Sequence, residues 1–213
     1  LAVRYIAERV PAVLEAWVCG EKGGQAVAEI LFGDVNPGGK LSVTIPRHAG
    51  QLPVYYNHKK SKAYWLREGW GHPYADLDPN PLYAFGHGLS YTDFEYGNLR
   101  LSAAEIKPSE SVEVSVDVKN TGTRFGEEVV QLYIRRVTSS VSVPVQELKG
   151  FARVGLEPGR TKTVKFALTP RHLELYDRNL ERVVEPGIIR ISIGGSSDDF
   201  RLSGDIVVVE PGI

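Results

Sequence analysis

The chain has 213 residues, of which 42% are hydrophobic and 24% charged, as in an ordinary globular protein with one large domain or two small ones. Its net charge of −1 gives no overall field that would attract nucleic acid or an anionic membrane. No apolar run approaches the ~20 residues that cross a bilayer, so we expect neither nucleic acid nor membrane as a partner.

The first 46 residues alternate between helical and strand patterns. The spacing predicts a helix over residues 1–10, a strand over 12–18, a helix around 26–31 that ends at Gly33, and a strand over 41–45. This order is typical of an α/β layer structure. Because two strands and two helices do not cover both faces of a parallel sheet, we expect the rest of that domain to come from elsewhere in a larger protein.

The chain contains no methionine, and its first helical pattern starts at Leu1 without a capping residue. Both features favour a processed product or a fragment. The single cysteine, Cys19, excludes an intrachain disulfide and a cysteine-based metal cluster.

Residues 47–80 have no clear period and are rich in Pro, Tyr, His and charged residues. We interpret them as a long irregular connection, which in a compact protein is often functional. Trp65 and Trp70 are candidate substrate-binding residues, since aromatic rings stack on the apolar faces of sugars. Arg67 and Glu68, which lie between the two tryptophans, could form hydrogen bonds to sugar hydroxyl groups. The alternative is that both tryptophans pack against their own domain.

Residues 96–213 show strand patterns throughout. The clearest is the run of valines at 112, 114, 116 and 118, which alternate with polar residues. About seven strands in this length predict an immunoglobulin-like β-sandwich. We therefore expect an α/β fragment followed by an all-β domain, with domains at residues 1–94 and 95–213. The predicted strands are 98–101, 112–118, 129–134, 148–154, 164–168, 189–193 and 206–209.

Three further motifs favour structural interpretations. The glycine-rich segment 19–24 could bind a phosphate, but it lacks the dinucleotide and P-loop spacings and is better explained as a tight turn before a helix. The five histidines lack zinc-site spacing; His72 with Asp76 and Asp78 could form a loop metal site, although a solvated loop is favoured. Residues 195–199 lack a nucleophile-elbow pattern and indicate an exposed turn. We assign no metal and no cofactor.

Residues 81–92 read PLYAFGHGLSYT and resemble the PLYPFGxGLSYT junction of family 3 glycoside hydrolases. Residues 30–46 are similar to that family's LFGDxNPSGKLPVTFP segment, and residues 52–59 to the stretch that follows it. Residues 128–133 and 147–151 resemble its fibronectin type III-like domain. The resemblance implies the end of the family's α/β sandwich domain followed by that fibronectin-like domain.

The resemblance also implies a function. Family members are retaining hydrolases of β-linked sugars, with a nucleophilic aspartate in a barrel domain and an acid/base glutamate earlier in the sandwich domain. Neither motif is present here, so we expect no catalytic residue in this chain and no activity of the chain alone. It is expected to complete a β-glucosidase that hydrolyses terminal β-linked glucosyl residues of oligosaccharides or glycosides.

Partners and alternatives follow from the same resemblance. The partners implied are the barrel and sandwich domains of the parent enzyme, a carbohydrate substrate and, as an open possibility, a second copy in a homodimer. An extracellular or periplasmic location is favoured by the resemblance alone. Two alternatives stay open: the same enzyme class acting on β-xylosides, and a non-catalytic carbohydrate-binding or adhesion module.

Overall fold

A computed structural model describes residues 2–60 and 77–210. Its main body is a β-sandwich, as predicted. One sheet has three antiparallel strands in the order β1-β3-β6, and the other has five in the order β2-β10-β9-β4-β5. The strands are β1 Phe94–Leu101, β2 Glu105–Ile106, β3 Val112–Asn120, β4 Gly126–Arg136, β5 Glu147–Leu156, β6 Thr161–Leu168, β7 Leu175–Tyr176, β8 Arg182–Val183, β9 Gly187–Gly194 and β10 Phe200–Val208.

Six of the seven predicted strand regions fall within these strands. The seventh, 206–209, lies within β10 except for its last residue. The short β2, the small β7–β8 hairpin and the one-turn helix α3 (Pro170–Leu173) were not predicted. Elements of two to four residues are too short to show a period, which explains why the sequence pattern missed them.

The core lies between the two sheets and follows directly from strand alternation. Successive side chains of a strand point to opposite faces, so every second residue of β3 faces inward. Val112, Val114, Val116 and Val118 are all fully buried. Opposite them, β4 and β9 contribute alternating leucine, isoleucine and valine side chains to the same cluster.

The first 46 residues contain less regular structure than predicted. The helix expected over 1–10 is reduced to α1 (Arg4–Ala7), whereas the second is present as α2 (Gly23–Phe32) and ends at Gly33 in the left-handed conformation, as predicted. The strand expected over 12–18 was wrong, because those residues pair with no other strand among the described residues. The strand over 41–45 was also wrong: it is reduced to one bridge, between Ile45 and Tyr83.

The same segment exposes large apolar side chains. Val18 is 98% exposed, Phe32 84% and Leu31 66%, in contrast with the buried apolar side chains inside the sandwich. A run of backbone polar groups becomes a strand only when a second strand accepts its hydrogen bonds. Exposed apolar residues and unpaired backbone together indicate an incomplete layer. Among the described residues, no helix has both the length and the apolar character needed to span a bilayer.

Candidate functional site

The predicted substrate-binding residues Trp65 and Trp70 lie outside the described residues, as do His72 and Asp76 of the conceivable metal loop. Asp78 is described, and its carboxylate lies 3.3 Å from the Arg47 guanidinium. Within residues 2–60 and 77–210 there is no group of three or more His, Cys, Asp or Glu side chains that could hold a metal ion.

The candidate site among the described residues lies where the first segment, residues 2–46, meets the sandwich. The middle of the run 81–92, at Gly86, lies against the side chain of Gln131 in β4. The Gln131 amide nitrogen donates to the Gly86 and Gly195 carbonyls, and its oxygen accepts from the Tyr133 hydroxyl at 2.6 Å. Phe85 stacks on Tyr56 with ring centroids 4.5 Å apart. These contacts bind the junction run to the sheet.

Gly86 is required in this run for two reasons. Its φ is +84°, in the left-handed region that glycine adopts without a steric cost. A Cβ at this position would lie 2.3 Å from the Gln131 side-chain oxygen. The glycine therefore allows the chain to turn while its backbone touches the glutamine that holds it.

The turn at residues 195–199 is more buried than predicted. Ser196 is 2% exposed and Ser197 6%, because the junction run covers them and the Ser197 amide donates to the Phe85 carbonyl. The Ser196 hydroxyl donates to Asp198, so it is held by a carboxylate and is not activated by a histidine. The expectation of an exposed turn was wrong, since it considered only local sequence.

A buried ion pair joins the two parts of the chain. The Lys40 ammonium lies 3.1 Å from Oε1 of Glu128, and their side chains are 12% and 8% exposed. Lys40 also donates to the Gly88 carbonyl, while the same Glu128 oxygen accepts the Val129 amide. Lys40 belongs to the first segment and Glu128 to β4, so this pair fixes one against the other.

Asn120 provides a second, fully buried connection. Its side-chain nitrogen donates to the carbonyls of Arg124 and Leu156, and its oxygen accepts from the Thr92 hydroxyl and the Gly122 amide. All of the amide's hydrogen-bonding directions are thus used. Asn120 therefore fixes the end of β3 to the start of β1, where the junction run ends.

Next to these contacts is a cavity of about 250 Å³. It is lined by Lys40, Glu128, Tyr96, Arg201, Asp199 and His87, among others. The Tyr96 hydroxyl oxygen is buried and has no hydrogen-bond partner among the described residues. Burial raises the pKa of Tyr96, and the Glu128 carboxylate acts in the same direction, so the hydroxyl stays protonated.

His87 lies at the rim of this cavity, stacked on Tyr83 with centroids 5.2 Å apart. Burial lowers the pKa of His87 below its usual range, although the Asp198 carboxylate opposes the effect. The imidazole is therefore neutral at physiological pH.

A second cavity, of about 400 Å³, is lined by both polar and apolar residues, which include Tyr55, Tyr56 and His58.

Two carboxylates elsewhere on the sandwich form hydrogen bonds or ion pairs with neighbouring side chains. Asp117 accepts from Arg100, Thr163 and Asn98, and these hydrogen bonds hold its pKa well below the usual range. Asp205 is paired with Arg190, which lowers its pKa in the same way. Such ionised, hydrogen-bonded carboxylates are suited to holding strands together and are poor proton donors.

A fibronectin type III-like sandwich that follows an incomplete α/β segment is the class of structure defined here. Residues 1–91 match the glycosyl hydrolase family 3 C-terminal domain, and residues 128–197 match the fibronectin type III-like domain. The chain therefore belongs to glycoside hydrolase family 3 and corresponds to these two parts of it, as the sequence resemblance implied.

Similar proteins agree over nearly the whole chain. A beta-xylosidase from Formosa agariphila is 46% identical over 94% of this chain, and a periplasmic beta-glucosidase from Salmonella typhimurium is 40% identical over 89%. A beta-glucosidase structure from Listeria innocua in complex with glucose superposes with a TM-score of 0.90 at 40% identity over 98% of this chain. The chain spans only 28%, 25% and 29% of these proteins, respectively.

Proposed function

We propose that this chain is the non-catalytic C-terminal part of a retaining β-glucosidase that removes terminal β-linked glucosyl residues from oligosaccharides or glycosides. The observation that carries the proposal is family membership over a chain that covers about a quarter of its relatives' length. Retaining hydrolysis needs two carboxyl groups ~5–5.5 Å apart, one as nucleophile and one as acid/base. Neither family motif for these groups occurs in this sequence.

The partners of this chain are then the barrel and the remaining α/β sandwich of the same enzyme. The exposed apolar side chains of the first segment, such as Val18, Leu31 and Phe32, support this. Contiguous apolar surface is costly in water and marks a contact with another surface. Contacts of Lys40 and Asn120 fix this segment to the sandwich. The role of the sandwich is then to support the edge of the sugar-hydrolysing domains.

A second candidate function is hydrolysis of β-xylosides, favoured by the beta-xylosidase from Formosa agariphila at 46% identity. Steady-state kcat/KM of the complete protein on aryl β-glucoside and aryl β-xyloside decides between them. The proposal predicts that the glucoside is preferred. A preference for the xyloside would favour the second candidate, and no turnover of either would favour a binding or adhesion module.

Trp65 and Trp70 stay a prediction as substrate-contacting residues. Trp→Ala variants of the complete protein test it, with melting temperature, oligomeric state and kcat/KM as readouts. Loss of substrate affinity or of a homodimer in a folded protein would support a contact role. A loss of about 3–5 kcal/mol of stability, with normal kinetics and assembly, would instead indicate packing against their own domain.

A further inference from the structure

We infer that the apolar surface that contacts the rest of the parent enzyme continues from the first segment onto the β-sandwich, where Phe125 forms part of it. This surface, the shared patch, consists of five exposed side chains: Leu31, Phe32, Val35, Tyr91 and Phe125. The inference rests on the proposed function, because it needs the remaining domains of the enzyme. It adds that the sandwich contacts those domains directly and not only through the first segment.

Two hydrogen bonds hold the C-terminal end of α2 against the junction run and the sandwich. The Tyr91 hydroxyl donates to the Ile30 carbonyl at 2.9 Å. The Arg124 guanidinium donates to the Gly33 carbonyl at 3.2 Å. The two members of the shared patch that belong to α2 lie between these carbonyls in sequence, so they are placed next to the loop that carries Phe125.

Asn36 fixes the other members of the shared patch. Its amide nitrogen donates to the Phe125 carbonyl at 3.0 Å, and its oxygen accepts the Tyr91 backbone amide at 2.8 Å. Val35 is the preceding residue. One side chain of the first segment thus bonds the backbone on both sides of it, and the exposed apolar groups form one surface around the end of α2.

The sandwich carries a second exposed phenylalanine that makes a useful contrast. Phe125 is 49% exposed, and its ring lies against β5, since a Cβ at Gly155 would be 3.0 Å from it. Phe151 lies further along the same strand and is 68% exposed, with the half-exposed Arg153 two residues away on the same face. A single exposed apolar side chain is normal, whereas a contiguous apolar patch marks a contact.

The remaining α/β domain of the same polypeptide is the partner that fits the shared patch. None of the ten residues of α2 is buried by the part of the chain that the structure describes. A surface that completes the layer over this helix covers its exposed leucine and phenylalanine, and so reaches the neighbouring Phe125. A second copy of the chain has the same gap in its own layer and does not fill this one. The relatives are long enough to supply the missing surface, since the chain spans only 25–29% of them.

The test is alkylation by iodoacetamide of three single variants, Phe32→Cys, Phe125→Cys and Phe151→Cys, each in a Cys19→Ser background. Each variant is made both in the 213-residue chain and in the complete protein, and peptide mass spectrometry reads the label at its own position. Each position is compared with itself in the two samples, so differences in intrinsic thiol reactivity cancel.

We expect the thiol of Phe125→Cys to react at least about tenfold more slowly in the complete protein, because a covered thiol reacts only when the contact opens. Phe32→Cys should be protected in the same way. Phe151→Cys is the matched control and should react equally fast in both samples. Protection should survive about a hundredfold dilution, since a contact within one polypeptide does not depend on concentration.

Protection at position 32 without protection at position 125 would overturn the inference and leave the proposed function in place. Protection at neither position would contradict both. Protection at 125 alone would show that the patch is not one surface, and equal protection at 125 and 151 would show that the covering is not specific to it. Protection lost on dilution would indicate a second copy; each of these three results also overturns the inference.

A further variant keeps the test decisive if Phe125→Cys does not fold. Arg124→Cys places the thiol at the neighbouring exposed position of the same loop. Slower alkylation of this variant in the complete protein supports the inference, and an equal rate in both samples contradicts it.

Discussion

The Lys40 ammonium and the Glu128 carboxylate form an ion pair at 3.1 Å in which both side chains are nearly buried. Removing one partner of a buried pair leaves an uncompensated charge and costs about 3–5 kcal/mol. We predict such a loss for Lys40→Met in the free energy of unfolding, measured by urea denaturation. The double variant Lys40→Met with Glu128→Leu should regain most of it.

The matched control for the ion pair is Lys165→Met. Lys165 pairs with Glu113 on the outer face of the three-stranded sheet, and both side chains are more than half exposed. An exposed pair contributes little, since water solvates each charge. If Lys40→Met is no more destabilising than this control, the pair does not fix the first segment to the sandwich.

Gly86→Ala is predicted to destabilise the chain more than Gly159→Ala. Both glycines have positive φ, +84° and +74°, but only at Gly86 would the new Cβ meet another atom, at 2.3 Å in Gln131. Left-handed backbone alone costs an alanine about 1–2 kcal/mol. The excess at Gly86 in thermal or urea unfolding measures the close approach to Gln131, and equal losses would refute that contact.

Acidification should remove a specific stabilising contribution of Asp117. Its pKa is lowered in the folded state by hydrogen bonds from Arg100, Thr163 and Asn98. The contribution is therefore complete above the unfolded-state pKa of 3.8 and is lost as the pH falls through the lower, folded-state value. We predict that Asp117→Asn is less stable than the unchanged protein at pH 6 and that the difference shrinks towards pH 2. A gap that stays constant with pH would contradict this.

The two parts of the chain should differ in independent stability. Residues 95–213 contain a closed sandwich core and should melt cooperatively, whereas residues 1–94 expose their apolar side chains and should not.

The boundary between residues 94 and 95 is itself a prediction. Residues 90–213 should melt at a higher temperature than 95–213, because they restore Phe94, which pairs with Asn120, and the Thr92 hydrogen bond to it. A cooperative transition of monomeric 1–94 would refute the division.

The strands of the sandwich were predictable because burial there follows the period of the backbone. Val112 to Val118 alternate in the sequence and are buried in the structure. The absence of a strand at 12–18 was not predictable, since strand formation depends on a neighbour and not on apolar content alone. Within residues 2–60 and 77–210, no strand pairs with residues 12–18.

The junction site was only partly visible in the sequence. The run 81–92 was recognised by its sequence. The contacts that Gln131, Glu128 and Asn120 make at the junction were not predicted. Glu128 does carry a signal: it lies two residues before Val130 and so shares the inward phase of β4 with Leu132. A charged residue at an inward position predicts a buried partner. Which residue is the partner depends on long-range contacts that strand periodicity does not encode.

The absence of catalytic residues from this chain is tested by measuring aryl β-glucoside and β-xyloside hydrolysis by the 213-residue chain alone and by the complete protein at equal concentration. We expect turnover by the complete protein and none by the chain above a buffer blank. Turnover by the chain that survives repurification would contradict it, because the two carboxyl groups of a retaining glycosidase would then have to lie within these residues.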